Sequence, residues 1–128
     1  MLNMGRILIA NNDDETLLLP IIDLLRLEGY ECNYVPDTKT VIEILKCIKF
    51  DLLIADIDSV GSNAMGIIKE LPDNAKEMSI ILVADVPLSE TQIQSLRTPV
   101  TACLSKPLCF EELLKPVKCS IKGKLIRT

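Results

Sequence analysis

The hydrophobic positions along the chain follow two patterns: short unbroken apolar runs, and longer stretches with apolar residues at helical spacing. Runs such as LLIA in 51–55 and IILV in 79–84 lack alternation, which is typical of strands buried on both faces. Between the runs, apolar residues recur every three to four positions, as on one face of an amphipathic helix. The pattern predicts five strands and five helices. The strands are 6–10, 31–35, 51–55, 79–84 and 100–105, and the helices are 17–27, 38–48, 62–71, 89–96 and 110–121.

The alternation of strand and helix predicts a single α/β domain, in which a parallel sheet carries helices on both faces. A length of 128 residues suits one domain. The second run, ECNYV, is partly polar, so we expect it to lie at an edge of the sheet.

Local sequence features predict where several helices begin and end. Asp13 or Asp14 can cap the first helix, Pro20 is tolerated in its first turn, and Gly29 ends it. Ser89 with Gln92 three residues later has the pattern of a capping box. We expect Pro116 to interrupt the last helix. The positions expected to face the core are Leu17, Ile21, Leu24 and Leu25 in the first helix and Val41, Ile44, Leu45 and Ile48 in the second.

The composition excludes several functions. The chain has no histidine, which excludes the Ser-His-Asp and Cys-His catalytic pairs. A net charge of −4 and an aromatic content of 3% argue against nucleic-acid binding by this domain. No apolar stretch reaches the ~18 residues that a membrane helix needs, and the five cysteines lack C-x-x-C spacing. We therefore expect a cytoplasmic protein with free thiols.

Polar side chains follow most of the predicted strands. In an open α/β sheet, ligands bind beyond the carboxyl ends of the strands. Carboxylate and amide oxygens suit Mg²⁺, and a lysine suits a phosphoryl oxygen. Asp56 directly follows the central apolar run, which makes it the candidate nucleophile for an acyl phosphate, the alternative being that it only caps a turn. The residues after the first, third, fourth and fifth runs are Asn11, Asn12, Asp13 and Asp14; Asp56, Ile57 and Asp58; Ala84 and Asp85; and Ser105, Lys106 and Pro107.

Several segments together resemble the receiver domain of bacterial two-component response regulators. They are ILIANND at 7–13, EGYE at 28–31, DLLIADIDSVG at 51–61, SIILVAD at 79–85 and LSKPLCFEELL at 104–114. The resemblance implies a flavodoxin-like three-layer (βα)5 sandwich with a five-stranded parallel sheet in the order 2-1-3-4-5. It also implies that residues 1–121 form a receiver-like domain, that 122–128 are a basic C-terminal tail, and that the protein is not an enzyme.

The resemblance assigns roles to particular residues. Asp56 matches the aspartate that accepts a phosphoryl group, and Lys106 matches the lysine that contacts that group. Mg²⁺ would be held by Asp13, Asp56 and the backbone carbonyl of Asp58, with Asn12 acting through a water molecule. The phosphoryl donor would be a histidine kinase or a phosphotransfer protein, and the output would pass to an effector domain or partner protein.

Three departures from the family's pattern lead us to expect an atypical, degenerate member. Ala84 stands where the family has a switching Thr or Ser, Cys103 replaces the switch aromatic, and Val60 replaces a proline. The prediction is phosphorelay signalling through Asp56 with a weakened Mg²⁺ site and an impaired switch. The alternative is a pseudo-receiver, a protein-interaction module independent of phosphorylation.

The acidic pair after the first strand can be aligned in two ways. Alignment on the strand gives Asn11 and Asn12, with no acid, whereas alignment on the helix and Gly29 gives Asn12 and Asp13. We prefer the second alignment. The first would place three poorly suited residues at core positions of the helix: Thr16, Pro20 and Asp23.

Two further hypotheses have less support. A flavodoxin-like cofactor module would need Gly-rich loops or a cofactor-attaching motif, and the chain shows neither. Cys103 and Cys109 flank Lys106 in the sequence and suggest a redox sensor. Only the lysine is available there as an activating cation.

Overall fold

The structure is a computed structural model. It describes residues 5–10, 19–35, 38–56, 68–75, 77–85, 88–94, 100–105 and 108–126. Within these ranges the strands are β1 (Arg6–Ala10), β2 (Glu31–Val35), β3 (Leu52–Asp56), β4 (Ser79–Ala84) and β5 (Ala102–Ser105). The helices in the same ranges are α1 (Leu19–Leu27), α2 (Thr38–Cys47), α3 (Glu90–Gln94) and α4 (Phe110–Ile126), and Asp73–Ala75 form a 3₁₀ turn. The predicted helix 62–71 lies mostly outside the described residues, of which 68 and 69 are helical.

The five strands form one parallel sheet in the order β2-β1-β3-β4-β5, as predicted. In the centre, Leu8 of β1 pairs with Asn33 on one side and Leu53 on the other. The partly polar β2 lies at an edge, which confirms that prediction as well. This strand order places β3 in the middle of the sheet, next to β1 and β4.

Each face of the sheet carries its own hydrophobic core, which confirms the three-layer arrangement. Successive strand residues point to opposite faces, so every apolar run contributes to both cores. The α2-side core includes Leu8, Val41, Leu45, Leu53, Ile80 and Leu82. The α1/α4-side core includes Ile7, Ile9, Ile22, Leu25, Leu52, Ile54, Leu113 and Val117.

Helix α1 buries a different stripe from the one predicted. Ile21, Ile22 and Leu25 are buried, whereas Leu24 is 39% exposed, so its assignment to the core was wrong. Against a sheet, a helix buries neighbouring positions such as i, i+1 and i+4, and Ile22 completes that stripe in place of Leu24. Pro20 lies in the first turn and is exposed, as a residue that lacks an N–H can be there.

Helix α2 agrees with its predicted pattern except at its end. Val41 and Leu45 are fully buried, and Ile44 is half-buried against the same core. The helix ends at Cys47, and Ile48 beyond it is 41% exposed, so Ile48 is not a core residue.

The predicted local features at two helix ends are confirmed. Gly29 adopts a φ of 102°, and its N–H donates to the Arg26 carbonyl at 3.0 Å while the Tyr30 N–H donates to the Leu25 carbonyl at 3.2 Å. These two bonds form a Schellman motif. At α3, the Ser89 N–H donates to Gln92 Oε1 at 2.9 Å, and the Gln92 N–H donates to Ser89 Oγ at 3.2 Å. This reciprocal pair is a capping box.

Helix α4 continues through Pro116 to Ile126, so the predicted interruption was wrong and the helix is five residues longer than predicted. A proline inside a helix removes one hydrogen bond and costs about 3 kcal/mol. Burial of Leu113, Val117 and Ile121 on the same face offsets that cost.

In the described part of the chain, no helix combines the length and apolar character needed to cross a membrane.

Gly5, just before β1, touches α4 closely. Its φ is 136°, and a Cβ there would lie 2.7 Å from Ile121 Cγ2. The Gly5 carbonyl accepts a hydrogen bond from the Glu31 N–H at 2.9 Å. Only glycine fits both the backbone conformation and the space.

Candidate functional site

The carboxyl ends of four strands define the candidate site. In the register of the sheet, Ala10 of β1 pairs with Ala55 of β3, so Asp56 extends one residue beyond β1. On the other side, Asp56 pairs with Val83, the residue before Ala84. The strand ends therefore place the Asp56 carboxylate between the ends of β1 and β4.

Asp56 is the last residue of β3 and is only 3% exposed. The strand begins and ends one residue later than predicted, so Asp56 belongs to the strand itself rather than to a turn after it. Asp56 and Ser120 are the buried polar residues in the described part of the chain. Burial of a carboxylate is costly in free energy. A carboxylate kept at the end of a central strand is therefore a candidate for function.

The strand ends beside Asp56 carry only methyl groups. Ala10 is fully buried and Ala84 is 2% exposed. Neither side chain can donate a hydrogen bond, and both are as small as a side chain can be. These two residues therefore offer no side-chain hydrogen bond to a group attached to Asp56.

Beyond β4, the edge strand β5 is less buried. Cys103 is half-buried, pairs with Leu82 and packs against the α2-side core. Ser105 pairs with Ala84 and is exposed. The sequence shows that Ser105 ends a strand, but its position beside Ala84 depends on the register of the sheet, which the sequence does not reveal.

Charged groups at the opposite, amino end of the sheet serve the fold. Arg6 Nε donates to Glu31 Oε2 at 2.8 Å, and the Arg6 N–H donates to Asp51 Oδ2 at 2.8 Å. The Arg6 guanidinium also lies 5.9 Å from the centroid of the Phe50 ring. These contacts tie β1 to β2 and to the start of β3, so they are structural.

The remaining predicted site residues lie outside the described residues. They are Asn11, Asn12, Asp13, Asp58 and Lys106, together with Val60 of the loop after β3. Among the described residues, there is no group of three or more Asp, Glu, Cys or His side chains that could hold a metal ion. The structure thus places Asp56, Ala84, Cys103 and Ser105 and leaves the other assignments as predictions.

Comparison with known proteins gives a consistent result. The sequence model of the family described as "Response regulator receiver domain" matches residues 7–118. Among solved structures, the chain is similar to a response regulator receiver domain protein (CheY-like) from Methanospirillum hungatei JF-1, with a TM-score of 0.83, 22% identity and 100% of each chain covered.

Two further solved structures share the fold. A response regulator receiver domain protein from Clostridium thermocellum has a TM-score of 0.80 and 21% identity, covering 97% of this chain and 99% of its own. A response regulator from Burkholderia pseudomallei with a phosphorylated aspartic acid, calcium ion and citrate has a TM-score of 0.73 and 16% identity, covering 95% of this chain and 71% of its own. At these identities, the similarity shows the fold.

Proposed function

This chain belongs to the response regulator receiver domain family, and from that membership we propose that Asp56 is the residue that accepts a phosphoryl group. Receiver domains act in two-component signalling, as signalling modules rather than enzymes, and they work with a kinase. The observation that carries the proposal is the buried carboxylate of Asp56 at the carboxyl end of the central strand.

The proposed reaction is transfer of a phosphoryl group from a phosphorylated histidine of a histidine kinase or phosphotransfer protein. A carboxylate oxygen of Asp56 attacks phosphorus, so an O–P bond forms while the N–P bond breaks, and the imidazole leaves and keeps the electron pair. Lys106 would donate a charged hydrogen bond to a phosphoryl oxygen. The output would pass to an effector domain or a partner protein. We place this phosphoryl transfer in the cytoplasm. The net charge of −4 argues against nucleic-acid binding by the domain.

The proposed donor set fits Mg²⁺, because every donor is a hard oxygen. The donors would be the carboxylates of Asp13 and Asp56, the backbone carbonyl of Asp58, and a water molecule held by Asn12. When bound, Mg²⁺ neutralises charge on the phosphoryl oxygens. An amide at position 12 in place of a carboxylate removes one negative charge, worth about 1 to 4 kcal/mol at effective dielectric constants of 80 to 20. We therefore propose a weakened site.

The burial of α1 supports the alignment that includes Asp13. Alignment on the first strand would place Pro20 and Asp23 at core positions, and both are exposed. Alignment on the helix places Ile21, Leu24 and Leu25 there; Ile21 and Leu25 are buried, and Leu24 is 39% exposed.

The first experiment measures the intact mass after incubation with acetyl phosphate and Mg²⁺. We expect the parent protein to gain one phosphoryl group and Asp56→Asn to gain none. Asp85→Asn is the matched control, because Asp85 is an exposed aspartate that follows β4 at the same edge of the sheet. A parent that gains no mass, or an Asp56→Asn variant that still gains it, would contradict the proposal.

A second experiment tests the metal site by titrating the labelling rate against Mg²⁺. Asn12→Asp restores a second carboxylate, so we expect it to lower the half-saturating Mg²⁺ concentration about tenfold, equivalent to roughly 1.4 kcal/mol. Asn11→Asp is the matched control and should change little, whereas Asp13→Asn should abolish labelling. Improvement by Asn11→Asp with no effect of Asp13→Asn would instead favour alignment on the strand.

A second candidate function is a pseudo-receiver that binds a partner independently of phosphorylation. It is favoured by Ala84, whose buried methyl group cannot donate to a phosphoryl group, and by Cys103, whose small side chain packs against the α2-side core. Both residues also support an impaired switch in a chain that is phosphorylated. Hydrogen exchange of β4 and β5 should then change little on phosphorylation. A large change there would contradict the impaired switch, whereas absence of labelling would favour the pseudo-receiver.

A further inference from the structure

Two local defects lie close together in the middle of α4. Pro116 has no N–H to donate to the Glu112 carbonyl, so one of the backbone hydrogen bonds that join the two halves of the helix is missing. A proline also disfavours the helical conformation of the residue before it, which is Lys115. One turn after the proline, Ser120 is 8% exposed, and its Oγ is buried with no hydrogen-bond partner among the described residues. A buried hydroxyl group without a partner destabilises the state in which it is buried.

The same movement relieves both defects. When residues 117–126 leave the sheet, water solvates the Ser120 hydroxyl group, and Lys115 can adopt the extended conformation that a following proline favours. The free energy of this local opening is therefore lower than it would be for a helix with alanine at positions 116 and 120. Segments whose opening costs little free energy can open separately from global unfolding.

A short stretch of contacts holds the second half of α4 against the sheet. Val117 is fully buried, and Ile121 is 2% exposed and packs closely against Gly5. Lys118 Nζ lies 3.6 Å from Glu28 Oε1, but the Lys118 side chain is 53% exposed, and exposed ion pairs contribute little. Among the described side chains, docking of this half thus depends mainly on Val117 and Ile121.

The two halves of α4 lie towards opposite ends of the sheet. Ile121 lies against Gly5, which precedes β1 at the amino end, whereas Asp56 ends β3 at the carboxyl end. The first half carries the fully buried Leu113, whose N–H donates to the Cys109 carbonyl at 3.0 Å. Opening of the second half therefore uncovers the amino end of the sheet and leaves the strand end that carries Asp56 in place.

We infer that residues 117–126 form a detachable arm, which leaves the sheet as one unit with Pro116 as its hinge while the rest of the domain stays folded. The structure shows the docked form. The opened form presents the apolar side chains of Val117 and Ile121 to solvent, with the charge of Lys118 between them. It also uncovers Gly5, which is buried in the docked form. The arm is a conformational device that is separate from the phosphorylation of Asp56.

Native-state hydrogen exchange of the full chain, followed by NMR, measures the opening. The amides of residues 117–121 should share one protection factor, at least tenfold lower than that of the amides of residues 113–115. Low urea concentrations should change the exchange of residues 117–121 little, since the opening exposes little surface. Fraying from the end of the helix would instead give protection that falls steadily from residue 117 to residue 126, and such a gradient would overturn the inference.

Three variants test the cause of the opening. Ser120→Ala removes the unpaired hydroxyl group, so it should raise the protection of residues 117–121 about tenfold. Cys119→Ala is the matched control, because Cys119 is exposed and cysteine has a helix propensity similar to that of serine, and it should raise the protection only about two- to threefold. Pro116→Ala restores the missing hydrogen bond and should raise the protection at least tenfold.

Three results would contradict the inference. Equal effects of Ser120→Ala and Cys119→Ala, or a loss of protection in Ser120→Ala, would mean that the buried hydroxyl group is not a defect. Equal protection of the two halves of α4 in the parent protein would mean that the helix opens only when the whole domain unfolds. Phosphorylation of Asp56 enters none of these measurements, so they test the arm whether or not the proposed function holds.

Discussion

Cys32 should be the least reactive of the five cysteines. It lies in β2, is 5% exposed and packs in the α1/α4-side core. This burial raises the pKa of the Cys32 thiol from its ordinary 9.0 to about 11, although the nearby Arg26 guanidinium, which donates to the Cys32 carbonyl at 2.9 Å, acts to lower it. At pH 8, the thiolate fraction then falls from about one in ten to about one in a thousand, and only the thiolate reacts.

The assay is brief alkylation of the native protein with iodoacetamide at pH 8, followed by peptide mass mapping. The exposed thiols of Cys47, Cys109 and Cys119 should react first, and Cys32 should stay unmodified. The control is the same reaction in denaturant, where Cys32 should react as fast as the others because its environment is lost. Labelling of native Cys32 within tenfold of its own rate in denaturant would refute the reasoning, since the thiolate fraction alone predicts about a hundredfold difference between the folded and unfolded chain.

The same pKa shift predicts how stability depends on pH. Above about pH 9 the unfolded chain loses the Cys32 proton, whereas the folded protein keeps it up to about pH 11. The contribution of Cys32 is therefore fully present below pH 9 and is lost as the pH rises to 11, by at most roughly 2–3 kcal/mol. Urea denaturation at pH 8 and pH 10.5 measures the loss, and Cys32→Ala should lose less stability over that range. Equal losses in both proteins would contradict this explanation.

Three substitutions test the local structure, each by urea denaturation followed by circular dichroism. Gly29→Ala should lower the free energy of unfolding by about 1–2 kcal/mol, because alanine is strained at the φ of 102° in the Schellman motif, and an unchanged midpoint would count against the motif. Gly5→Ala should lower the free energy of unfolding by about 1–3 kcal/mol more than Gly29→Ala does, because its Cβ would lie 2.7 Å from Ile121 Cγ2. Ile121→Ala made in the Gly5→Ala variant should then cost less than Ile121→Ala made in the parent. Ser89→Ala should cost about 1 kcal/mol through loss of the capping box, and a smaller effect of Ser89→Thr, which retains the hydroxyl, would assign the loss to the cap.

The features that the sequence predicted correctly depend on near neighbours in the chain. The unbroken apolar runs become buried strands because both faces of the sheet are covered, and β3 is buried at every position. Gly29 and the pair Ser89 and Gln92 act within one turn of a helix, so their roles can be read from the residues alone.

The predictions that failed concern packing between distant elements. Leu24 has the spacing of a core residue, yet Ile22 takes that place because the sheet covers the adjacent stripe of α1. Pro116 should break an isolated helix, but burial of α4 against the sheet outweighs the missing hydrogen bond. Asp56 could be recognised as a strand end, whereas the pairing of Ser105 with Ala84 depends on a register set by the whole sheet.

The strand order also has a consequence for how the chain folds as it is synthesised. β2 pairs with β1, and β3, β4 and β5 each pair with a strand made earlier, so every new strand adds to a sheet edge already formed. No strand has to open an existing pair or wait for a later segment once β1 and β2 have met. The sheet can thus grow in the order of translation. Asp56 is the last residue of β3, which pairs with β1 on one side and with β4 on the other. We therefore expect the backbone of Asp56 to be fixed by the pairing of β3 with β1 before β4 and β5 have left the ribosome.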